Sequence, residues 1–179
     1  MRFASMRNLD ISNGEGVGVS LFVQGCDRHC FNCFNPDTWD FNGGKEWTEE
    51  TKNKFIKLID RPYINRISVL GGEPLAEQNL DEVLSLIKEI RISFPEKTIW
   101  LYTGYKFEDL INGIHYPLDS EWEDKVLRQS IVKLCDVLVD GEYIDEQRDI
   151  TLKWRGSLNQ RVIDVKQSLT QNKIVLYCN

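Results

Sequence analysis

Three of the five cysteines fall within eight residues, at Cys26, Cys30 and Cys33, in the pattern C-x3-C-x2-C. Thiolates are soft ligands that select zinc, copper(I) or iron-sulfur clusters, and a compact loop can aim several of them at one centre. Three ligands are one short of a closed tetrahedral site. Zinc would need a fourth, from His29 inside the loop or from a distant residue. A four-iron cubane held by three cysteines instead keeps one iron without a protein ligand, open to a substrate. A zinc-stapled loop is the first rival reading, although zinc sites mostly show paired C-x2-C knuckles and no second pair is present. Free structural thiols are the second rival, and these have no cause to cluster in a polar loop. Cys135 and Cys178 lie outside the spacing and read as a small core residue and an incidental tail thiol.

The elements that must carry this loop alternate between short apolar strands and amphipathic helices. Val19 to Gln24 reads as a strand running into Gly25 and the cysteine loop, residues 25–36. Thr48 starts a helix with Phe55, Ile56 and Ile59 on its core face, and Glu49 and Glu50 suit the positive end of its dipole. Arg66 to Leu70 is a second strand, ended by Gly71-Gly72. Asn79 caps a helix whose Leu80, Val83, Leu84, Ile87 and Ile90 share one buried face. Thr98 to Tyr102 is a third strand, stopped at Thr103-Gly104, with a short helix over Phe107 to Ile111. Residues 112–120 read as an inserted loop, from which Asp119 or Ser120 caps a helix carrying Trp122, Val126, Leu127, Ile131 and Leu134 inward. Asp136 to Val139 is a fourth strand ending at Asp140-Gly141, and Arg161 to Val165 and Lys173 to Tyr177 are two further extended candidates. Such alternation implies a parallel sheet with right-handed crossovers and chemistry at the carboxyl ends of the strands. The four loops that follow the strands, GCDRHCFNC, GGEPL, TGY and DGEY, then open on one edge.

Length and charge narrow the class. The chain has 179 residues, 41% of them hydrophobic, which fits one domain spanning 1–179 whose core needs no disulfide or structural metal. With 22 Lys+Arg against 28 Asp+Glu the net charge is −6, and the basic residues are scattered, which excludes a nucleic-acid or anionic-membrane binder. No apolar run reaches a membrane span, and the polar stretch Met1 to Asp10 lacks an apolar h-region, so a cytoplasmic protein is expected. An odd cysteine count without a secretory signal argues against a disulfide framework.

C-x3-C-x2-C after a first strand, followed one strand later by Gly71-Gly72-Glu73-Pro74-Leu75, resembles the radical S-adenosylmethionine superfamily. NGEG at 13–16, FVQGC, FNCFNPDTW, GGEPL, WLYTGY, DVLVDGEY and WRGSLNQR at 154–161 resemble, more narrowly, the activating proteins of anaerobic ribonucleotide reductase, from about Leu9 to Asp164. Two departures stand out. Asn32 occupies a position before the third cysteine that is often aromatic, leaving Phe31 and Phe34 as candidates to stack near adenine. Gly18 stands where close relatives often carry Arg.

The resemblance implies a partial, laterally open (β/α) barrel, since about 250 residues are needed for a full one. It implies a 4Fe-4S cluster on Cys26, Cys30 and Cys33, whose open iron chelates the amino and carboxylate groups of S-adenosylmethionine. It further implies reductive cleavage to a 5'-deoxyadenosyl radical, and hydrogen abstraction from a glycine on the C-terminal segment of anaerobic ribonucleoside-triphosphate reductase. The cofactor carries that chemistry, so no side chain is expected as a general base. A reduced flavodoxin-type carrier is the implied electron donor. Asn32, Cys33, Phe34, Gly71, Gly72, Glu73, Thr103 and Asp140 are the implied cofactor-binding residues. Glu73 could place charge near the methionine ammonium or brace its own loop, and Asp140 could contact a ribose or simply cap a turn. Trp154, Arg155 and Asn159 could face the partner. The alternatives are an activase for another glycyl-radical enzyme, of the pyruvate formate-lyase type, and a non-catalytic zinc-stapled binding module.

Overall fold

The computed structural model describes residues 1–112 and 122–178. Among these residues eight strands make one open sheet: β1 (Arg2–Asp10), β2 (Gly18–Val23), β3 (Lys45–Glu46), β4 (Arg66–Gly71), β5 (Thr98–Tyr102), β6 (Val137–Asp140), β7 (Arg161–Asp164) and β8 (Leu176–Cys178), in the order β3-β1-β2-β4-β5-β6-β7-β8. Strands β2, β4, β5 and β6 run parallel at its centre. The flanks do not. β1 pairs antiparallel with β2 and β3, and β7 and β8 continue antiparallel from β6. The expected all-parallel sheet is therefore a mixed one: β1 leads into β2 through the stretch 11–17, too short for a helical crossover, and β7 and β8 are antiparallel although a helix lies between them.

Among the described residues five α-helices accompany the sheet: α1 (Glu49–Ile59), α2 (Leu80–Ser93), α3 (Phe107–Asn112), α4 (Trp122–Leu134) and α5 (Val165–Gln171). Thr48 caps α1 by accepting the Thr51 N–H at 3.2 Å. Asn79 precedes α2 but makes no side-chain cap. α4 buries Ile131 and Val132, while Trp122, Val126, Leu127 and Leu134 stay half-buried. Residues 165–178 form α5 and the edge strand β8, which overlaps the expected extended segment Lys173 to Tyr177. The expected loop 112–120, with the cap candidates Asp119 and Ser120 and with His115, lies outside the described residues apart from Asn112, which ends α3. No helix among the described residues is long and apolar enough to cross a membrane.

The two-residue strand period divides the central strands between two faces. Leu21, Ile67, Val69, Leu101 and Leu138 pack with the helices through residues such as Phe55, Val83, Ile87 and Ile131. The opposite face carries Trp100, Val137, Val139 and Val162, against which Tyr102, Trp154 and Cys178 pack. On that face Arg66 is fully buried. It is paired with Asp10 at 3.2 Å and donates to the carbonyls of Asp10, Asn13 and Glu15. Gly18 makes room for it, since a Cβ there would sit 2.7 Å from the guanidinium carbon. The Arg expected at position 18 would collide with Arg66.

Candidate metal centre and cofactor cleft

The carboxyl ends of β2, β4, β5 and β6 share one edge, and the loops leaving them enclose a cleft of about 650 Å³, the size of a small-molecule site. Phe22, Leu70, Tyr102 and Val139, one from each central strand, lie in it. The cysteine loop closes on itself at one end. Gln24, buried, donates its side-chain amide to the carbonyls of Asp37 and Asp40 at 3.0 and 2.8 Å. The Gly25 and Cys26 N–H groups donate to the carbonyls of Thr38 and Trp39. Inside this frame His29 and Asn32 adopt φ of 48° and 54°, turning the chain sharply just before Cys30 and Cys33. His29 lies against the Trp39 ring at 4.7 Å.

All three cysteines are free thiols that line the cleft. The Asn35 N–H donates to the Cys33 sulfur at 3.4 Å. Burial pushes the Cys26 thiol up to about 11 and also raises that of Cys30, against the opposing influence of nearby main-chain N–H groups. These sulfurs are therefore protonated in the bare chain and release protons when they ligate a metal. Among the described residues no three His, Cys, Asp or Glu side chains gather around a single ion.

Opposite the loop, Gly71 at φ 110° ends β4 and begins the Gly-Gly-Glu turn. A Cβ on Gly71 would lie 2.8 Å from the Phe22 Cα, and one on Gly72 2.5 Å from the Gly25 carbonyl oxygen. These glycines let the turn press on the backbone of the cysteine loop, and both remain exposed to the cleft. Glu73, 1% exposed, turns inward. Its Oε1 accepts from the Leu75 N–H at 2.9 Å and the Thr103 hydroxyl at 2.8 Å, and its Oε2 accepts from the Gly104 N–H at 2.8 Å. Burial raises its carboxyl while these donors and Arg28 pull it down. Of the two roles open to Glu73, the structure displays bracing. Thr103 is its partner, and the pair ties the β4 turn to the β5 turn.

Phe34 lines the cleft and packs on Tyr143 with ring centroids 5.0 Å apart, whereas Asn32 turns aside and donates to Asp145 at 2.9 Å. Asp140 is not in the cleft. It shares the helix-facing side of β6 with Leu138, accepts the first N–H of α3 from Phe107 at 2.8 Å, and pairs with Arg161. The two-residue period from Leu138 already put it there. Trp154 and Arg155 line the cleft, and Asn159 donates to the Glu142 carbonyl at 2.7 Å.

Several residues carry more than the motifs announced. Arg28 is held between Glu73, 3.4 Å from its Nε, and Glu142, and lies 4.2 Å over the Tyr105 ring. Burial works against its charge, but the two carboxylates outweigh it and raise its pKa. Asn79 donates to the carbonyls of Gln24 and Glu73 at 3.1 and 3.0 Å, joining the cysteine loop to the β4 turn instead of capping α2. Tyr102 presents a buried hydroxyl with no protein partner.

Residues 12–163 match the family described as a 4Fe-4S single cluster domain. The anaerobic ribonucleoside-triphosphate reductase-activating protein of Salmonella typhimurium is 37% identical over 90% of this chain and 97% of its own. The proteins of the same name from Escherichia coli K12 and phage T4 are 36% and 35% identical, over 90% of this chain and 97% and 93% of theirs. The chain belongs to this activating-protein family. A 4Fe-4S activating protein needs soft ligands in a sheltered loop, and the three unpaired thiols of the cysteine loop fit that demand. Cys135 is fully buried, and Cys178, on β8, packs against the Trp100 cluster.

Proposed function

We propose that this protein is the iron-sulfur activating enzyme of an anaerobic ribonucleoside-triphosphate reductase, with its 4Fe-4S cluster on Cys26, Cys30 and Cys33 and S-adenosylmethionine in the adjoining cleft. The observation that carries the reading is the convergence on one cleft of three free thiols beside the turn of Gly71 and Gly72. A cluster held by Cys26, Cys30 and Cys33 would supply the one electron for reductive cleavage of S-adenosylmethionine to methionine and a 5'-deoxyadenosyl group able to take a hydrogen atom from the target glycine.

The chain's own residues bind and orient. Gly71 and Gly72 offer main chain to the methionine end, and Thr103 and Phe34 stand where the adenosine would lie. Glu73 and Arg28 hold those walls together. Asn32 and Asp140 act on the scaffold instead. The open sheet is half of a barrel wall, and its uncovered side admits the glycine-bearing C-terminal segment of the reductase. A reduced flavodoxin in the cytoplasm is the proposed donor.

Anaerobic reconstitution with iron and sulfide, then addition of S-adenosylmethionine and dithionite, should yield 5'-deoxyadenosine. Cys30→Ala should lose both the brown colour and the product. A colourless protein with one zinc and no iron would return the chain to the binding-module reading. A glycyl radical raised on a pyruvate formate-lyase-type partner and not on the reductase would change the target.

A further inference from the structure

Tyr102 and Arg155 line the cleft with polar groups that meet no partner among the described residues. The Tyr102 hydroxyl, at the end of β5, is buried and makes no hydrogen bond, and burial raises its pKa, so it keeps its proton at neutral pH. Arg155, half-buried between β6 and β7, makes no hydrogen bond or ion pair with a described residue, and its Nε is shut off from water. A buried donor left unmet costs stability, so each points to an acceptor that this chain does not supply. The two belong to one face. Tyr102 and Trp154, the neighbour of Arg155, both pack on the cluster of Trp100, Val137, Val139 and Val162, opposite the main helical core. Trp154 is held there under strain, at φ 59°, with its ring edge-on to Trp100 at 5.0 Å.

Other sheltered arginines of this chain show what such a group takes. Arg66, Arg91 and Arg128 donate to the main-chain carbonyls of Asp10, Leu134 and Leu75 at 2.7, 2.7 and 2.9 Å. With the methionine end of the cofactor at Gly71 and Gly72 and the adenosine at Thr103 and Phe34, Tyr102 and Arg155 are left for something else. A glycine has no side chain to recognise, so a segment that reacts at a glycine must be held by its main chain or by its neighbours. We infer, on the reading of the cleft given above, that Arg155 and Tyr102 grip the glycine-bearing segment of the reductase by its main-chain carbonyls on the uncovered face of the sheet. They transfer no proton or electron; they determine which segment is held beside the cofactor.

Tyr102→Phe and Arg155→Met remove the donors and keep most of the shape. Initial rates of glycyl-radical formation per iron are read by electron paramagnetic resonance over a range of reductase concentrations. The KM for the reductase should rise roughly two- to tenfold in Tyr102→Phe and roughly ten- to a hundredfold in Arg155→Met. Cleavage of S-adenosylmethionine by dithionite without the reductase should keep its KM within about twofold in both. Lys153→Met, which removes an exposed charge from the same loop, should match wild type in both assays. Because the two donors meet nothing in the free chain, the metal-free variants should unfold at or above the wild-type Tm. An unchanged KM for the reductase in either iron-loaded variant overturns the inference, as does an equal rise in Lys153→Met, which would mean general charge attraction. A raised KM for S-adenosylmethionine would give the donors to the cofactor, and a lowered Tm in both variants would give them a partner within the chain; either result overturns it too. If Arg155→Met takes up less iron, the isosteric Tyr102→Phe decides alone. Iron-loaded wild type that yields no 5'-deoxyadenosine would instead overturn the reading of the cleft.

Discussion

Replacing Glu73 with Gln keeps its shape and removes its charge, which separates bracing from cofactor binding. The carboxylate serves three donors, the N–H groups of Leu75 and Gly104 and the Thr103 hydroxyl, and lies 3.4 Å from Arg28 Nε. An amide has one accepting oxygen. Keeping it toward Leu75 and Thr103 turns the new NH2 toward the Gly104 N–H, leaving a buried donor unmet at a cost of about 1–3 kcal/mol. Loss of the pair with Arg28 adds only about 1 kcal/mol, because Glu142 still holds that guanidinium. The sum is roughly 2–4 kcal/mol, which for a chain of this length lowers Tm by about 4–16 °C. Thermal unfolding of the metal-free protein followed by circular dichroism reads it directly. Cleavage of S-adenosylmethionine, assayed well below the new Tm, should survive with a raised KM, since the amide still fills the same space. A variant with wild-type Tm and abolished binding would refute the bracing role, placing the carboxylate on the cofactor.

Gly72→Ala should cost about 1–3 kcal/mol by overpacking, because its Cβ meets the Gly25 carbonyl at 2.5 Å and backbone cannot swing away; a denaturant midpoint equal to wild type would contradict the close approach. Asp140→Asn should lower stability by about 1.5–3 kcal/mol through its weakened bond to Arg161, with the KM for S-adenosylmethionine unchanged, and a raised KM would put Asp140 back in the cleft. Burial would lift the Asp10 carboxyl, but the Asn13 and Ser12 donors hold it down to about 2 from an ordinary 3.8. Stability from Asp10 is therefore complete above about pH 4 and drains away as the pH falls towards 2, roughly 2 kcal/mol in all. Urea midpoints of wild type and Asp10→Asn should converge over that interval and stay apart at neutral pH; a constant gap would contradict the shift.

The central strands could be read from sequence because each is a short apolar run ended by glycine, and β2, β4, β5 and β6 fall within a residue or two of their expected bounds. β1 could not. Arg2 to Asp10 is mostly polar, and its strand form comes from pairing with β2 and β3 rather than from its own pattern. The directions of β7 and β8 were equally hidden, since apolar period does not encode which way a strand runs. The cysteines and the four strand-end loops were visible for the same topological reason that makes them meet. What joined them was not. Arg28 to Glu142 and Asn32 to Asp145 are single contacts across more than a hundred residues, with no local spacing to betray them. Glu73 and Thr103 were named as cofactor residues and emerged as partners of each other, a pairing that only the adjacency of β4 and β5 creates.

The most direct measurement is electron paramagnetic resonance on the reductase itself. Reconstituted protein, S-adenosylmethionine and dithionite are mixed anaerobically with an anaerobic ribonucleoside-triphosphate reductase, and 5'-deoxyadenosine is counted in the same tube. A glycyl doublet that collapses when the reductase carries α-deuterated glycine, absent with Cys26→Ala, Cys30→Ala or Cys33→Ala, is the expected result. A radical of undiminished size in any of those three variants, or an iron-loaded wild type that yields neither radical nor 5'-deoxyadenosine, would contradict the assignment of function to this cysteine loop.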